Sequence, residues 1–296
     1  MRTRTKIWIG IGAFVVAGST VSGASAGTAD RIVAPEVRAQ DWPLIDSGRK
    51  TGSHPFVLAQ ARGGGEGGEG GEGGEGGEAG INVAAAASDP VEYGVALQVI
   101  AAHFYAGLAA YEAKEQEAGA QMFAHGLSEV YVEMEDVFRQ RGVKGLGEAL
   151  QAAVDAAVAK AKVAEVRKRA RAVFTAIAAA DRMHPVSKMP AAIVKARIVA
   201  ELIDRTAAQY GVAGKSAELE PYLDGLGFAI AARTEADTAM AWIRRRDMKV
   251  AESLSSALKI AARAYPGVTR PKTPPVDEAK FLAAASAAKL AVSAAR

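Results

Sequence analysis

The chain has 296 residues, with 36 Lys+Arg, 33 Asp+Glu and no cysteine. Lacking cysteine, it has no disulfide, no thiolate metal site, no covalent haem and no lipobox lipidation. The first 26 residues hold Arg2, Arg4 and Lys6 and no acid, so 36 − 3 = 33 basic residues balance 33 acidic ones beyond them; a neutral chain is a poor ligand for nucleic acid.

Residues 1–26 read as a signal peptide. Three basic residues precede an apolar run over 7–16, and small residues end at Ala24-Ser25-Ala26, which predicts cleavage after Ala26 and a periplasmic protein. The run is too short to span a bilayer comfortably, and no adjacent arginine pair precedes it, so Sec is the expected route. Residues 27–62 form an irregular lead-in broken by Pro35, Pro43 and Pro55, with His54 read as a solvated loop residue. A Gly/Glu-rich linker over 63–88 follows, with Glu66, Glu69, Glu72, Glu75 and Glu78 at every third position. Glycine at this density predicts disorder, and its 18-residue repeat would span roughly 23 Å. Two readings stand for it: a soluble spacer, or a weak cation-collecting tether.

A first helical half is expected over 89–184. Ser88-Asp89-Pro90 supplies an N-cap and a proline for the first turn. Tyr93, Leu97, Ile100, Phe104, Leu108 and Tyr111 mark one amphipathic helix, and Phe123, Leu127, Val130, Tyr131, Met134, Val137 and Phe138 a second. A join near Ala118-Gly119 makes them an αα-hairpin. That register sets His103 level with Glu133 and Tyr111 level with His125. The second helix carries Met122, His125, Glu129, Glu133 and Asp136 on one arc of roughly 80°. The arc has two readings: the solvated face of a surface helix, or, with His103, a metal-ligand set. Imidazole with carboxylate suits iron, zinc or copper, and a thioether from Met122 favours Cu(I). Neither the Glu-x-x-His pair of di-iron bundles nor the His-Glu-x-x-His of zincins occurs.

The run His103-Phe-Tyr-Ala-Gly-Leu-Ala-Ala-Tyr-Glu112, then Met122-Phe-Ala-His125-Gly-Leu-Ser-Glu129-Val-Tyr131, resembles exported all-helical bacterial proteins that accompany iron-permease systems, in the imelysin-like neighbourhood. Glu220-Pro-Tyr222-Leu-Asp224-Gly-Leu-Gly-Phe228 resembles a Glu-Tyr-x-Asp-x-x-Gly-Phe box of that family. The likeness covers roughly residues 91–235 and departs from the pattern at Met122 and Gly126, where the family has His and Pro. It implies a metal site and a partner such as a membrane metal permease or another periplasmic protein.

Further on, a third helix is expected over 148–183, bent near Lys162, with the cluster Arg167, Lys168, Arg169 and Arg171 on a solvated face; His184-Pro185 ends it. The second helical half, 185–296, holds helices over 190–210, 217–246, 249–264 and 278–295. Gly211 to Ser216 lacks the leading glycine and preceding strand of a phosphate loop. Tyr222, Asp224 and Phe228 are expected to form a structural network between the halves, with an approach to the metal as the alternative. Arg244, Arg245 and Arg246 end their helix where cations complement its dipole.

The resulting expectation is an all-α antiparallel bundle of about six helices, without strands. No nucleophile constellation or redox motif is present, so no enzymatic activity is expected. Two functions follow. One is a periplasmic protein binding iron or copper for uptake or homeostasis, with His103, Met122, His125, Glu129 and Glu133 as candidate ligands. The other is a metal-free adaptor bundle that docks a periplasmic or membrane partner.

Overall fold

A short helix, α1 (Val83–Ala86), leads into α2 (Pro90–Glu112), around which the rest of the protein is arranged. The computed structural model describes residues 80–295, and over them the fold is all-α, as the periodicities indicate. The signal peptide, the lead-in with His54, and linker residues 63–79 lie outside the described residues. The linker as drawn from the sequence runs too far. Ile81 is buried in the core and the Asn82 side chain accepts from Ala85 N–H to cap α1, so folded structure begins by residue 81.

The Asp89 carboxylate caps α2 by accepting from Val91 N–H at 2.7 Å, with Pro90 in the first turn, as the sequence indicates. No residue of α2 is exposed. The expected amphipathic stripe is therefore incomplete: Val95, Ala96, Val99, Ala101, Ala102 and Ala106, off the stripe, are buried as well. A helix apolar on every side belongs at the centre of a fold. By length and composition α2 could cross a membrane, yet 78% of its most apolar window is buried inside the protein.

The partner of α2 is one long rod made of α3 (Gln116–His125), a π-helical segment (Gly126–Tyr131) and α4 (Val132–Gln140). The turn into it falls at Ala113-Lys114-Glu115, four residues before the expected join. Lys114 takes φ +73°, and the N–H groups of Glu115 and Lys114 donate to the carbonyls of Ala110 and Tyr111, a Schellman ending with lysine where glycine is usual. Gly119 lies inside the rod. It faces Gly107, and a Cβ on it would come within 2.7 Å of the Gly107 carbonyl. This glycine pair sets the two backbones in close approach, and the rings of Phe104 and Phe123 stack beside it with centroids 4.6 Å apart.

The helix expected over 148–183 is two helices, α5 (Leu146–Val158) and α6 (Val163–Asp181), packed on each other. Lys160, at φ +51°, reverses the chain, with Ala161 N–H donating to the Ala156 carbonyl. Alanine-rich helical propensity runs across the break, which is why the sequence shows a bend there and the structure a full turn. Helices α7 (Ala191–Lys215), α8 (Glu220–Arg246), α9 (Met248–Ala264) and α10 (Glu278–Ala294) complete the fold. Helix α2 packs against α6, α7 and α8, so both sequence halves share one hydrophobic core. Tyr93 and Tyr111 reach across it to donate to the carbonyls of Ala180 and Ala161.

Candidate metal centre

The register of the α2 hairpin decides what faces His103. A turn centred on Lys114 pairs residues eleven before it with residues eleven after it, which sets His103 opposite His125. The structure bears this out: the two imidazole centroids are 6.2 Å apart and near perpendicular, and a Cβ on Gly126 would come within 3.1 Å of His103 Cβ. The expected pairing of His103 with Glu133 came from the later join. Glu133 instead lies eight residues beyond His125, roughly 12 Å along a helix. It is half-buried, and its Oε2 is buried without a hydrogen-bond partner. Met122, also expected as a ligand, is 1% exposed within the hydrophobic core, where apolar packing accounts for it.

Each remaining donor is positioned by a distinct element. His103, on the buried α2, has Nδ1 2.9 Å from the Val99 carbonyl. A carbonyl only accepts, so Nδ1 carries the proton and Nε2 keeps its lone pair, the arrangement of a metal-ligating histidine anchored to backbone. Burial pushes the His103 pKa down to about 4 against the upward pull of that bond, and the charges of His125 and Arg205 add to the fall. His103 is therefore neutral at pH 7, the form a metal requires. His125 closes α3 where the π segment begins. Its Nε2 is 4.0 Å from Glu129 Oε1, and its Nδ1 is 3.6 Å from Glu220 Oε1. One ligand atom each from His103, His125 and Glu129 falls within a cluster no wider than 4.8 Å. Donors around a bound first-row ion lie about 3–3.5 Å apart, so about 1 Å of side-chain closure gathers these three on one ion.

Helix α8 supplies the rest. Glu220, Asp224 and Phe228 are spaced by four, so they share a face, while Tyr222 points away from it. Asp224 Oδ1 is 3.7 Å from His103 Nε2, buried, and without a hydrogen-bond partner. Burial, with a smaller push from the negative charges of Glu220 and Glu129, raises the Asp224 pKa to about 7. Gln121 of α3 donates to Glu220 Oε2 at 2.8 Å and holds that carboxylate over His125. The Phe228 ring meets His103 edge-on at 6.4 Å and carries the Arg205 guanidinium 6.0 Å from its centroid. A side chain at Gly227 would overlap the Ala102 carbonyl, so glycine there lets α8 approach α2 beside His103.

The expected network of Tyr222, Asp224 and Phe228 therefore divides. Tyr222 donates to the Gly267 carbonyl at 2.7 Å and lies against Tyr265, a structural role. Asp224 and Phe228 turn to His103. The sequence reading left Glu220 out of the site; its spacing of four from Asp224 and eight from Phe228 was the signal that joins it to them. Two imidazoles and up to three carboxylates converge here. That donor set suits a divalent first-row ion, and two histidines with one carboxylate is the arrangement typical of non-haem iron(II). Comparison of the chain with protein-family models, curated proteins and solved structures finds no match.

Proposed function

We propose that this is an exported protein that binds one divalent transition-metal ion, iron(II) foremost, and serves in its uptake or homeostasis rather than in catalysis. His103, His125 and Glu129 are the ligands, and Asp224 completes the set from α8. The observation that carries the reading is the lone pair on the buried His103 Nε2, held beside His125 and Asp224 by the bond from Nδ1 to the Val99 carbonyl. A buried, unpartnered carboxylate oxygen is costly unless a cation or proton answers it. The basic residues, apolar run and Ala24-Ser25-Ala26 of residues 1–26 are what an exported carrier would have. A membrane permease is the partner that such a carrier would serve.

The test is metal titration with elemental analysis of the purified protein, using iron(II), zinc(II), copper(II) and copper(I) in turn. The expected result is about one tightly bound divalent ion per chain, lost in His103→Ala/His125→Ala, with thermal unfolding raised by the metal in the wild type alone. Retention of the ion by the double variant, or no binding by the wild type, overturns the proposal. Selective binding of copper(I) would move the site to a thioether-bearing set and restore Met122.

A further inference from the structure

A second surface lies at the other end of α8. Helices α8 and α9 pack on each other and are joined by the single residue Asp247, which has extended backbone. The tip of this hairpin carries Arg244, Arg245 and Arg246 on one side of the join and Met248 and Lys249 on the other, all exposed. Trp242, one turn before the arginines, is 52% exposed, as is Met248. Asp247, between them, caps α9 by accepting from Val250 N–H at 3.1 Å and offsets one positive charge, so Arg244, Arg245 and Lys249 leave the tip net positive. Elsewhere Arg139, Arg169 and Arg233 each meet a carboxylate three or four residues away on their own helix. The next acid along α9 is Glu252.

Helix-end electrostatics explain only part of this. The three arginines complement the C-terminal dipole of α8, but Lys249 sits in the first turn of α9, which has no acidic residue and where a cation is disfavoured. Nor does packing explain a half-exposed indole and a half-exposed thioether on the same tip as Arg244, Arg245 and Lys249. An amphipathic aromatic ring flanked by Lys and Arg is the combination that settles at the headgroup level of an anionic bilayer. Asp224 lies twenty residues before Arg244, roughly 30 Å along α8, so a tip resting on lipid leaves the candidate metal centre clear of it.

We infer that the α8–α9 tip is a docking surface for an anionic lipid bilayer, with Trp242 and Met248 entering the interface and Arg244, Arg245 and Lys249 meeting headgroup phosphates. The exported protein carrying Trp42→Phe, which leaves Trp242 as its reporter, is mixed with vesicles of phosphatidylcholine alone and of phosphatidylcholine with phosphatidylglycerol. Flotation with the anionic vesicles only, a shift of Trp242 emission to shorter wavelength, and release by added salt are expected. Each of Arg244→Gln, Arg245→Gln and Lys249→Gln weakens binding about fivefold, with circular dichroism unchanged because all three are exposed. His103→Ala/His125→Ala binds vesicles as the wild type does, so failure of this surface and failure of the metal site are separable. Equal binding to both vesicles, no binding to either, or full binding by the triple Gln variant overturns the inference. So does a tip-dependent dimer, or capture of an oligonucleotide, in a protein that ignores lipid.

Discussion

The two ends of α8 carry opposite chemistry on one continuous helix. Toward its N-terminus, Glu220, Asp224 and Phe228 face α2 and α3, and the Asp224 carboxyl is pushed up to about 7 by burial. Toward its C-terminus, Trp242, Arg244 and Arg245 are exposed to solvent. Both ends are ordinary helix, and both have polar residues at helical spacing. What differs is the neighbour. At the N-terminal end Gly227 lets α2 close on α8, so polar groups there are desolvated and forced onto one another. At the C-terminal end the chain turns at Asp247 and nothing covers the tip among the described residues. A polar run thus becomes a site or a surface according to whether a second backbone comes near.

Substitutions at the two ends should separate accordingly. Gly227→Val should have the largest effect, lowering stability in urea by about 3 kcal/mol, because its side chain must displace the Ala102 backbone; a loss below about 1 kcal/mol would show that α8 and α2 are not in close approach. Next, Glu129→Gln should weaken metal binding about 10–100-fold, whereas Met122→Leu, a change within the core, should leave affinity within about twofold and cost under 1.5 kcal/mol of stability. Equal loss of affinity in both would return the thioether to the ligand set.

The third contrast is one of pH. The folded pKa of Asp224 is raised above its ordinary 3.8, so its protonated form stabilises the metal-free protein at low pH and that contribution is lost as pH rises through about 7. His103 acts in the opposite sense: its pKa is depressed from 6.5 to about 4, so stability present above 6.5 is lost as pH falls through 4. Asp224→Asn removes the first effect alone. It should stabilise the metal-free protein by about 2 kcal/mol at pH 8 and by almost nothing at pH 4; unfolding curves at both pH values that show a constant difference would contradict a desolvated carboxyl. Smallest of all, Trp242→Ala at the exposed end should change stability by under about 0.5 kcal/mol. A loss of several kcal/mol there would mean that the indole is packed.

Much of this was legible in the residues. Period and capping marked the start of α2 at Asp89-Pro90 and the helical segments of the second half, including the end of α9 at Ala264, since each depends on groups within one or two turns. His103, His125 and Glu129 were recognisable as residues able to share an ion. The turn was not, because glycine in a helical pattern reads as a break, while here Gly119 serves interhelical contact and Lys114 takes the left-handed position. A slip of four residues in the turn moves the facing register by eight, which is why Glu133 was drawn in. The split of α5 from α6 at Lys160 was hidden by the same substitution of lysine for glycine.

The sequence by itself therefore determined the secondary structure class, the capped start of α2 and the candidate donor residues, because hydrophobic period and caps act over a few residues. Only the tertiary structure decided which donors meet. That depends on the Gly107–Gly119 approach, on the turn at Lys114 and on the docking of α8 through Gly227, contacts between backbones far apart in the chain. Asp224 shows the reason most simply. A carboxylate is a solvated charge or a desolvated, half-neutral group according to the dielectric around it, and that is a property of the packed fold rather than of any stretch of chain.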